Sequence, residues 1–143
     1  HTIIVGGEKA EHRHLLSWLS SPETQSCRWI NSYGPTETTV IATTLTVDNR
    51  QVPYSGDNIP IGRPLPNTRI YILDALGQPA PLGVSGEIHI GGAGVARGYL
   101  NRPDLTAEKF VADPFSQQPD ARMYKTGDLG RWLPNGTIEY LGR

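Results

Sequence analysis

Thr2-Ile3-Ile4-Val5-Gly6-Gly7, then Glu8 to Leu19, then Arg28-Trp29-Ile30 is the stretch on which the fold of this chain turns. The opening run is β-branched and apolar and closes on two glycines, the pattern of a short buried strand. Between Glu8 and Leu19, the residues Leu15, Trp18 and Leu19 fall at i, i+3 and i+4, giving one apolar stripe on a helix. Glu8 and Glu11 sit near the start of that helix, where its dipole favours acids, and Ser20-Ser21-Pro22 ends it. Arg28–Ile30 reads as a second strand. Strand, helix and strand joined this closely predict part of an α/β layer with parallel strands.

Working outward, Asn31–Glu37 is a polar loop following that strand, and Thr38–Val47 reads as a further strand or a short helix leading into one. Asp48–Pro60 lacks periodicity and reads as a surface loop. The second half changes character. Arg69–Leu73 and Glu87–Ile90 alternate as strands do, with a turn-rich joint at Asp74–Gly83. Pro103–Phe110 is a short helix candidate with Asp104 at its N-cap. Met123–Leu133 and Thr137–Leu141 are strands around Pro134-Asn135-Gly136, a hairpin signal. The expected fold class is therefore α/β plus β: a partial α/β subdomain over residues 1–58 and a β-rich, barrel-like unit over residues 59–143.

Composition narrows the function classes. The chain has 143 residues and a formal net charge of −1, which excludes a strongly basic nucleic-acid binder and a polybasic membrane patch. Its 16 glycines and 12 prolines make up about a fifth of the chain, well above the usual share, so tight turns separate short elements. The single cysteine, Cys27, can form neither an internal disulfide nor a cysteine-based zinc site. The run Ile3-Ile4-Val5 is far too short for a signal peptide or a membrane helix. A reducing, cytoplasmic setting is expected. Both ends read as cut from something larger.

Two loops offer chemistry. Asn31-Ser32-Tyr33-Gly34-Pro35-Thr36-Glu37 lies at the C-terminal end of an expected parallel strand, where open α/β sheets place ligands. Tyr33 offers a flat face, Thr36 a hydroxyl and Glu37 a carboxylate. The plain alternative is an ordinary turn of solvated polar residues. In Tyr124-Lys125-Thr126-Gly127-Asp128, a carboxylate after a Thr-Gly turn can accept two hydrogen bonds from a vicinal diol. Its plain alternative is an Asp satisfying the local backbone. The glycines of Gly86–Tyr99 do not match a dinucleotide fingerprint, because Gly98 stands at the wrong offset; they read as a tight β-bend. No Gly-Lys pair of a Walker loop and no Gly-x-Ser-x-Gly elbow occurs, and the histidines lack metal-ligand spacing. Lys9, Lys109 and Lys125 all read as surface residues.

In order and spacing, Asn31–Glu37, Gly86–Leu100, Tyr124–Leu129 and Leu141-Gly142-Arg143 together resemble the adenylation domains of nonribosomal peptide synthetases, within the adenylate-forming superfamily. The likeness covers essentially the whole chain. It implies an enzyme that forms an aminoacyl-AMP from an amino acid and ATP, then loads the acyl group onto the phosphopantetheine thiol of a peptidyl carrier domain. It further implies that Glu37 coordinates Mg2+, Thr36 contacts the α-phosphate, and Tyr33, followed by Gly34, stacks on adenine. Asn31 would meet the adenine amino edge, Asp128 would hold the ribose hydroxyls, and Tyr140 and Arg143 would make further contacts near the ribose.

By the same resemblance, Ile4, Gly6, Ser32, Val40 and Ile41 line the amino-acid pocket, with Ser32 able to add one hydrogen bond. None of these is charged, so a neutral, mainly apolar amino acid is expected, since an unpartnered buried charge is costly. The alternative for Ile4, Val40 and Ile41 is plain core. The family's phosphate loop, its amino-group-binding acid and its catalytic lysine are not in this stretch. The chain is thus expected to need the rest of the adenylation domain and to be inactive alone. Two other functions stay open: an acyl- or aryl-CoA ligase of the same superfamily, or a non-catalytic excised subdomain.

Overall fold

A computed structural model describes residues 1–24, 26–47 and 58–143. Strand β1 (Thr2–Val5) leads through helix α1 (His12–Leu19) to β2 (Arg28–Tyr33), and the two strands pair in parallel with Ile3 opposite Trp29 and Val5 opposite Asn31. The helix starts at His12, later than the acidic residues suggested, with Glu11 at its N-cap. Its apolar stripe seats Leu15 in a small core with Trp29, Val47 and Ile59. Trp18 and Leu19 pack against that core.

β2 continues through Tyr33, three residues past the expected end, so Asn31, Ser32 and Tyr33 are strand residues rather than loop residues. A tight 3-10 turn (Thr36–Thr38) follows, then β3 (Thr43–Val47), antiparallel to β2, and the two-residue β4 (Arg63–Pro64). The first sheet is therefore mixed, in the order β1-β2-β3-β4, with one parallel pair at its edge. That edge position overturns the expectation of a buried first strand: Ile3 is 38% and Ile4 59% exposed. Of the expected loop Asp48–Pro60, residues 48–57 lie outside the described residues. Its end is no surface segment, because Ile59 is buried in the helix-side core and Pro60 is fully buried.

The second sheet contains β5 (Thr68–Leu73), β6 (Gly86–Gly92), β7 (Phe110–Ala112), β8 (Arg122–Trp132) and β9 (Ile138–Gly142), all antiparallel, in the order β5-β6-β8-β7 with β9 also on β8. β7 pairs with the start of β8 and β9 with its end. Between them, Lys125 to Leu129 of β8 spans the same distance as His89 to Glu87 of β6, so extra residues are extruded around Thr126-Gly127-Asp128. The turn before β9 follows the hairpin signal, with Gly136 at φ 76°. Helix α2 (Pro103–Lys109) has Arg102 at its N-cap and Pro103 at its first position, so Asp104 lies inside the first turn rather than capping it.

One core joins the two sheets. Ala42 and Ile61 from the first half pack with Ile70, Ile72, Ile88, Ile90 and Ile138 from the second. A backbone bridge connects Gly62 and Ile138, whose N–H and C=O groups bond Gly62 and Ile61 at 2.9 and 2.8 Å. Gly62 sits at φ +87°, and a Cβ there would collide with the Thr44 carbonyl. The architecture is thus two mixed or antiparallel sheets with few helices, and the join brings the end of β2 against the bulge of β8. Among the described residues, no helix is long and apolar enough to cross a membrane.

Candidate functional site

Where the sheets meet, a cleft of about 450 Å³ opens, lined by Gly7, Glu8, Lys9 and Ala10 on one wall, the end of β2, the apolar Ile59 and Ile61, and Asp128, Tyr140 and Arg143 opposite. Its volume lies in the range of small-molecule sites, about 300–1,000 Å³.

The β2 wall is fixed by strand geometry. Asn31 is buried, and its Nδ2 donates to the Pro60 carbonyl at 2.9 Å. That bond settles the amide orientation and leaves Oδ1 as the accepting group. Ser32 Oγ donates to the Val5 carbonyl at 2.8 Å, so its proton ties β2 to β1. Gly6 is required beside it, since a Cβ would collide with that hydroxyl. At Gly34 a Cβ would lie 2.6 Å from Ala42 N and 2.8 Å from Val40 O, so the chain can double back there only without a side chain.

The opposite wall depends on the β8 bulge. Thr126 Oγ1 donates to the Ile88 carbonyl at 2.7 Å and accepts the Asp128 N–H at 3.0 Å. Gly127 takes φ 73° and donates its N–H to Glu87 Oε1 at 3.0 Å. The bulge turns Asp128 inward, 4% exposed. Its Oδ2 accepts from the Tyr33 hydroxyl at 2.8 Å and its Oδ1 from Arg143 Nε at 2.8 Å. Tyr140 lies against Tyr33, ring centroids 5.8 Å apart. Burial, followed by the neighbouring Asp128 carboxylate, pushes the Tyr33 phenol up, and the same two causes raise Tyr140. Asp128 in turn holds the exposed Arg143 guanidinium protonated.

Glu37 stands just beyond the Gly34–Pro35 end of the cleft and is not part of its lining; nor is Thr36, which is exposed. The Glu37 Oε1 accepts from the Tyr99 hydroxyl at 2.6 Å, and the Tyr124 hydroxyl lies 3.3 Å from that of Tyr99. Burial works against the ionised carboxyl, yet bonds from Tyr99, the backbone and Tyr124, with the charge of Arg143, hold it below the usual glutamate value. Two further bonds dock the turn on the glycine-rich segment: Ala96 N–H to Glu37 O and Thr39 Oγ1 to Gly94 O, both 2.8 Å. A Cβ on Gly94 would come 3.0 Å from the Thr38 carbonyl, as the reading of those glycines as a close-approach bend requires.

The structure thus brings together Asn31, Ser32, Tyr33, Gly34, Asp128, Tyr140 and Arg143. It does not gather the expected amino-acid pocket there. Gly6, Ile4, Val40 and Ile41 are outside the cleft lining, and Ile4 and Val40, at 59% and 64% exposed, are not core either. Lys9, read as a surface residue, is exposed but lines the cleft. Tyr99, Tyr124 and Thr126 carry roles that motif reading missed. The Thr-Gly pair within an alternating run was the available signal for the bulge; nothing local marks Tyr99 as a partner of Glu37.

Chemically, the cleft combines aromatic faces, an amide acceptor, a buried carboxylate and a cation. The family model for AMP-binding enzymes matches residues 1–100. This chain belongs to the AMP-binding enzyme family. It is 56% identical over 142 residues to a linear gramicidin synthase polypeptide of Brevibacillus parabrevis, covering 99% of this chain and 2% of that protein. Tyrocidine synthase 3 of the same organism is 50% identical over 142 residues, with the same coverage. Among solved structures, an NRPS protein containing adenylation and PCP domains superposes with a TM-score of 0.86 at 33% identity, covering 99% of this chain and 28% of that one. An artificially fused adenylation–PCP di-domain NRPS from Klebsiella oxytoca gives a TM-score of 0.84 at 29% identity, again with 99% and 28% covered. The chain therefore spans about 2% of the length of these curated relatives. The motif resemblance and these relatives name the same kind of protein.

Proposed function

We propose that this chain is a segment of an amino-acid-activating adenylation unit in a nonribosomal peptide synthetase. In this reading the amino-acid carboxylate bonds to the α-phosphorus of ATP as the bond to pyrophosphate breaks. The resulting aminoacyl-AMP then gives its acyl group to the phosphopantetheine thiol of a peptidyl carrier domain. The observation that carries the reading is Asp128, in the bulge of β8, meeting Arg143 and, from the end of β2 95 positions earlier, Tyr33 at one cleft.

The residues divide the work by chemistry. The adenine amino group donates to Asn31 Oδ1, the acceptor left by the bond to Pro60. Tyr33 and Tyr140 supply faces against the base and sugar; such stacking contributes about 1–3 kcal/mol per base elsewhere. The ribose hydroxyls donate to Asp128, whose oxygens each keep a second lone pair. Thr36 reaches the α-phosphate, and Arg143, held on Asp128, makes a further contact near the ribose. The attack joins two anions, which repel by about 4 kcal/mol at 4 Å and an effective dielectric of 20.

A magnesium ion accompanying ATP would supply neutralisation. Glu37 fits it, because magnesium takes one or two carboxylates plus substrate phosphates rather than a dedicated protein cage. Its carboxyl is kept ionised, and among the described residues no cluster of three or more ligating side chains competes for such an ion.

In this reading residues 1–58 correspond to part of an α/β layer and residues 59–143 to a distorted β-barrel subdomain, with Arg63–Pro64 of the second stretch completing the first sheet. The rest of the adenylation unit and a carrier domain are the partners, in the cytoplasm. By the family resemblance Ile4, Gly6, Ser32, Val40 and Ile41 would line the amino-acid pocket, completed by the rest of the adenylation unit and favouring a neutral, mainly apolar amino acid. Because Ser32 spends its proton on Val5, it offers the substrate an acceptor.

The test is amino-acid-dependent exchange of pyrophosphate into ATP by the synthetase carrying this segment. Exchange with a neutral amino acid, lost in Glu37→Gln, supports the reading. Loading of free coenzyme A in preference to a carrier thiol would replace it with a CoA ligase.

A further inference from the structure

We infer that Tyr99, backed by Tyr124, is a positioning residue that sets which oxygen of Glu37 meets the divalent cation of the bound nucleotide. The inference rests on the reading of Glu37 given above. Its structural basis is the bond from Tyr99 to Glu37 and the aromatic stack behind it.

Glu37 lies in a 3-10 turn of three residues, too short to orient a flexible side chain by itself. The turn is followed by Thr39 and Val40 at φ 64° and 67°, left-handed positions that cost β-branched residues free energy and persist only where neighbours enforce them. The enforcing neighbour is the segment 94–99. It bonds the Glu37 carbonyl through Ala96 N–H and the Thr39 hydroxyl through Gly94 O. Tyr99 then reaches the Glu37 Oε1 at 2.6 Å. A bond this short to an ionised acceptor belongs to the strong class.

Tyr99 is itself held. Its ring meets Phe110 edge-on, centroids 5.4 Å apart, and Phe110 tilts against Tyr124 at 5.1 Å. The Tyr124 hydroxyl sits 3.3 Å from that of Tyr99. Tyr124 is buried in β8, four residues before the Asp128 of the cleft. With Oε1 anchored on this aromatic stack, Oε2 is the oxygen offered to a cation. Partners of this kind, one shell behind a metal ligand, typically change metal affinity about 10–100-fold when removed.

The experiment uses the full synthetase and two readouts. One is Mn2+ binding in the presence of a non-hydrolysable ATP analogue, followed by water-proton relaxation. The other is the free Mg2+ giving half-maximal pyrophosphate exchange at saturating ATP. Tyr99→Phe keeps the ring on Phe110 and removes only the hydroxyl. It is expected to weaken Mn2+ binding about tenfold and to raise the Mg2+ requirement equally, with exchange restored at high Mg2+. Tyr124→Phe is expected to shift both in the same direction by less. The double variant Glu37→Gln/Tyr99→Phe is expected to be no weaker than Glu37→Gln alone. Unchanged metal binding in both Phe variants, or a double variant weaker by the full product, overturns the inference while Glu37→Gln still shifts the metal dependence. An unshifted Glu37→Gln overturns the reading of Glu37 itself.

Discussion

Arg143 Nε lies 2.8 Å from Oδ1 of Asp128, an exposed cation closing over a buried carboxylate. With Tyr33 on the other oxygen, Asp128 is satisfied on both sides, as a buried charge must be. A ribose diol therefore adds to, or takes over from, these partners. Asp128→Asn keeps the shape but turns a charged acceptor into a neutral amide. Hydrogen bonds to charged groups contribute about 1.5–3 kcal/mol. The KM for ATP is expected to rise about ten- to a hundredfold, with a smaller change for 2′,3′-dideoxy-ATP. Equal losses for both nucleotides would remove the diol from the account.

Tyr33→Phe deletes the hydroxyl that reaches Asp128 and leaves the ring against Tyr140. An unpaired buried acceptor costs about 1–3 kcal/mol. The urea midpoint is expected to fall accordingly, whereas stacking on the base should survive, so nucleotide affinity should fall less than in Asp128→Asn.

The join between the sheets is tested by a pair of glycines. Gly62 and Gly77 both have left-handed φ, at 87° and 74°, but only Gly62 faces a backbone carbonyl; nothing lies within 4 Å of a Cβ on Gly77. Gly77→Ala is expected to cost about 1–2 kcal/mol from conformation alone. Gly62→Ala must also displace Thr44, and its cost is expected to exceed that of Gly77→Ala by about 2 kcal/mol or more. Equal unfolding midpoints would mean that the Gly62–Thr44 approach is not required.

Much of this was legible in the residues, and the exceptions have physical causes. Alternation and turn chemistry located β5, β6, β8 and β9 within a residue or two, because half-buried strands write their pattern locally. The edge position of β1 is not written in Ile3 and Ile4, which look the same in a central strand. Asn58–Pro60 looked like surface because proline and polar residues dominate its flank; Ile59 is buried by Leu15 and Trp29, contacts no local pattern records. Asp104 has the chemistry of a cap, but Pro103 suits the first helical position and moves the cap to Arg102. For the site, residue types marked Tyr33, Thr36, Glu37 and Asp128, and the family resemblance added Asn31, Tyr140 and Arg143; of these Thr36 and Glu37 lie outside the cleft lining. The bonds from Tyr99 to Glu37 and from Arg143 to Asp128 depend on tertiary closure alone.

His89 gives a pH prediction. It is buried, with Lys125 opposite across β6 and β8, and its Nδ1 lies 3.2 Å from the Glu87 carbonyl. Burial, helped by the Lys125 charge and opposed by Glu87, lowers its pKa from 6.5. Below pH 6.5 the unfolded chain therefore binds a proton that the folded chain refuses. Stability is expected to be full above that pH and to decline as pH falls from there towards the lowered value. His89→Gln should flatten this limb between neutral pH and the onset of carboxylate titration. An unchanged slope in urea unfolding against pH would assign the loss to other groups.

The central claim is that the end of β2 at Tyr33 and the β8 bulge at Asp128 hold one mononucleotide between them, and a crystal structure of the synthetase's adenylation unit with AMP tests it most directly. The account predicts ribose hydroxyls within about 2.6–3.0 Å of the Asp128 carboxylate, the base beside Tyr33, and its amino group on Asn31 Oδ1. AMP bound elsewhere, with Asp128 still held only by Tyr33 and Arg143, would contradict it.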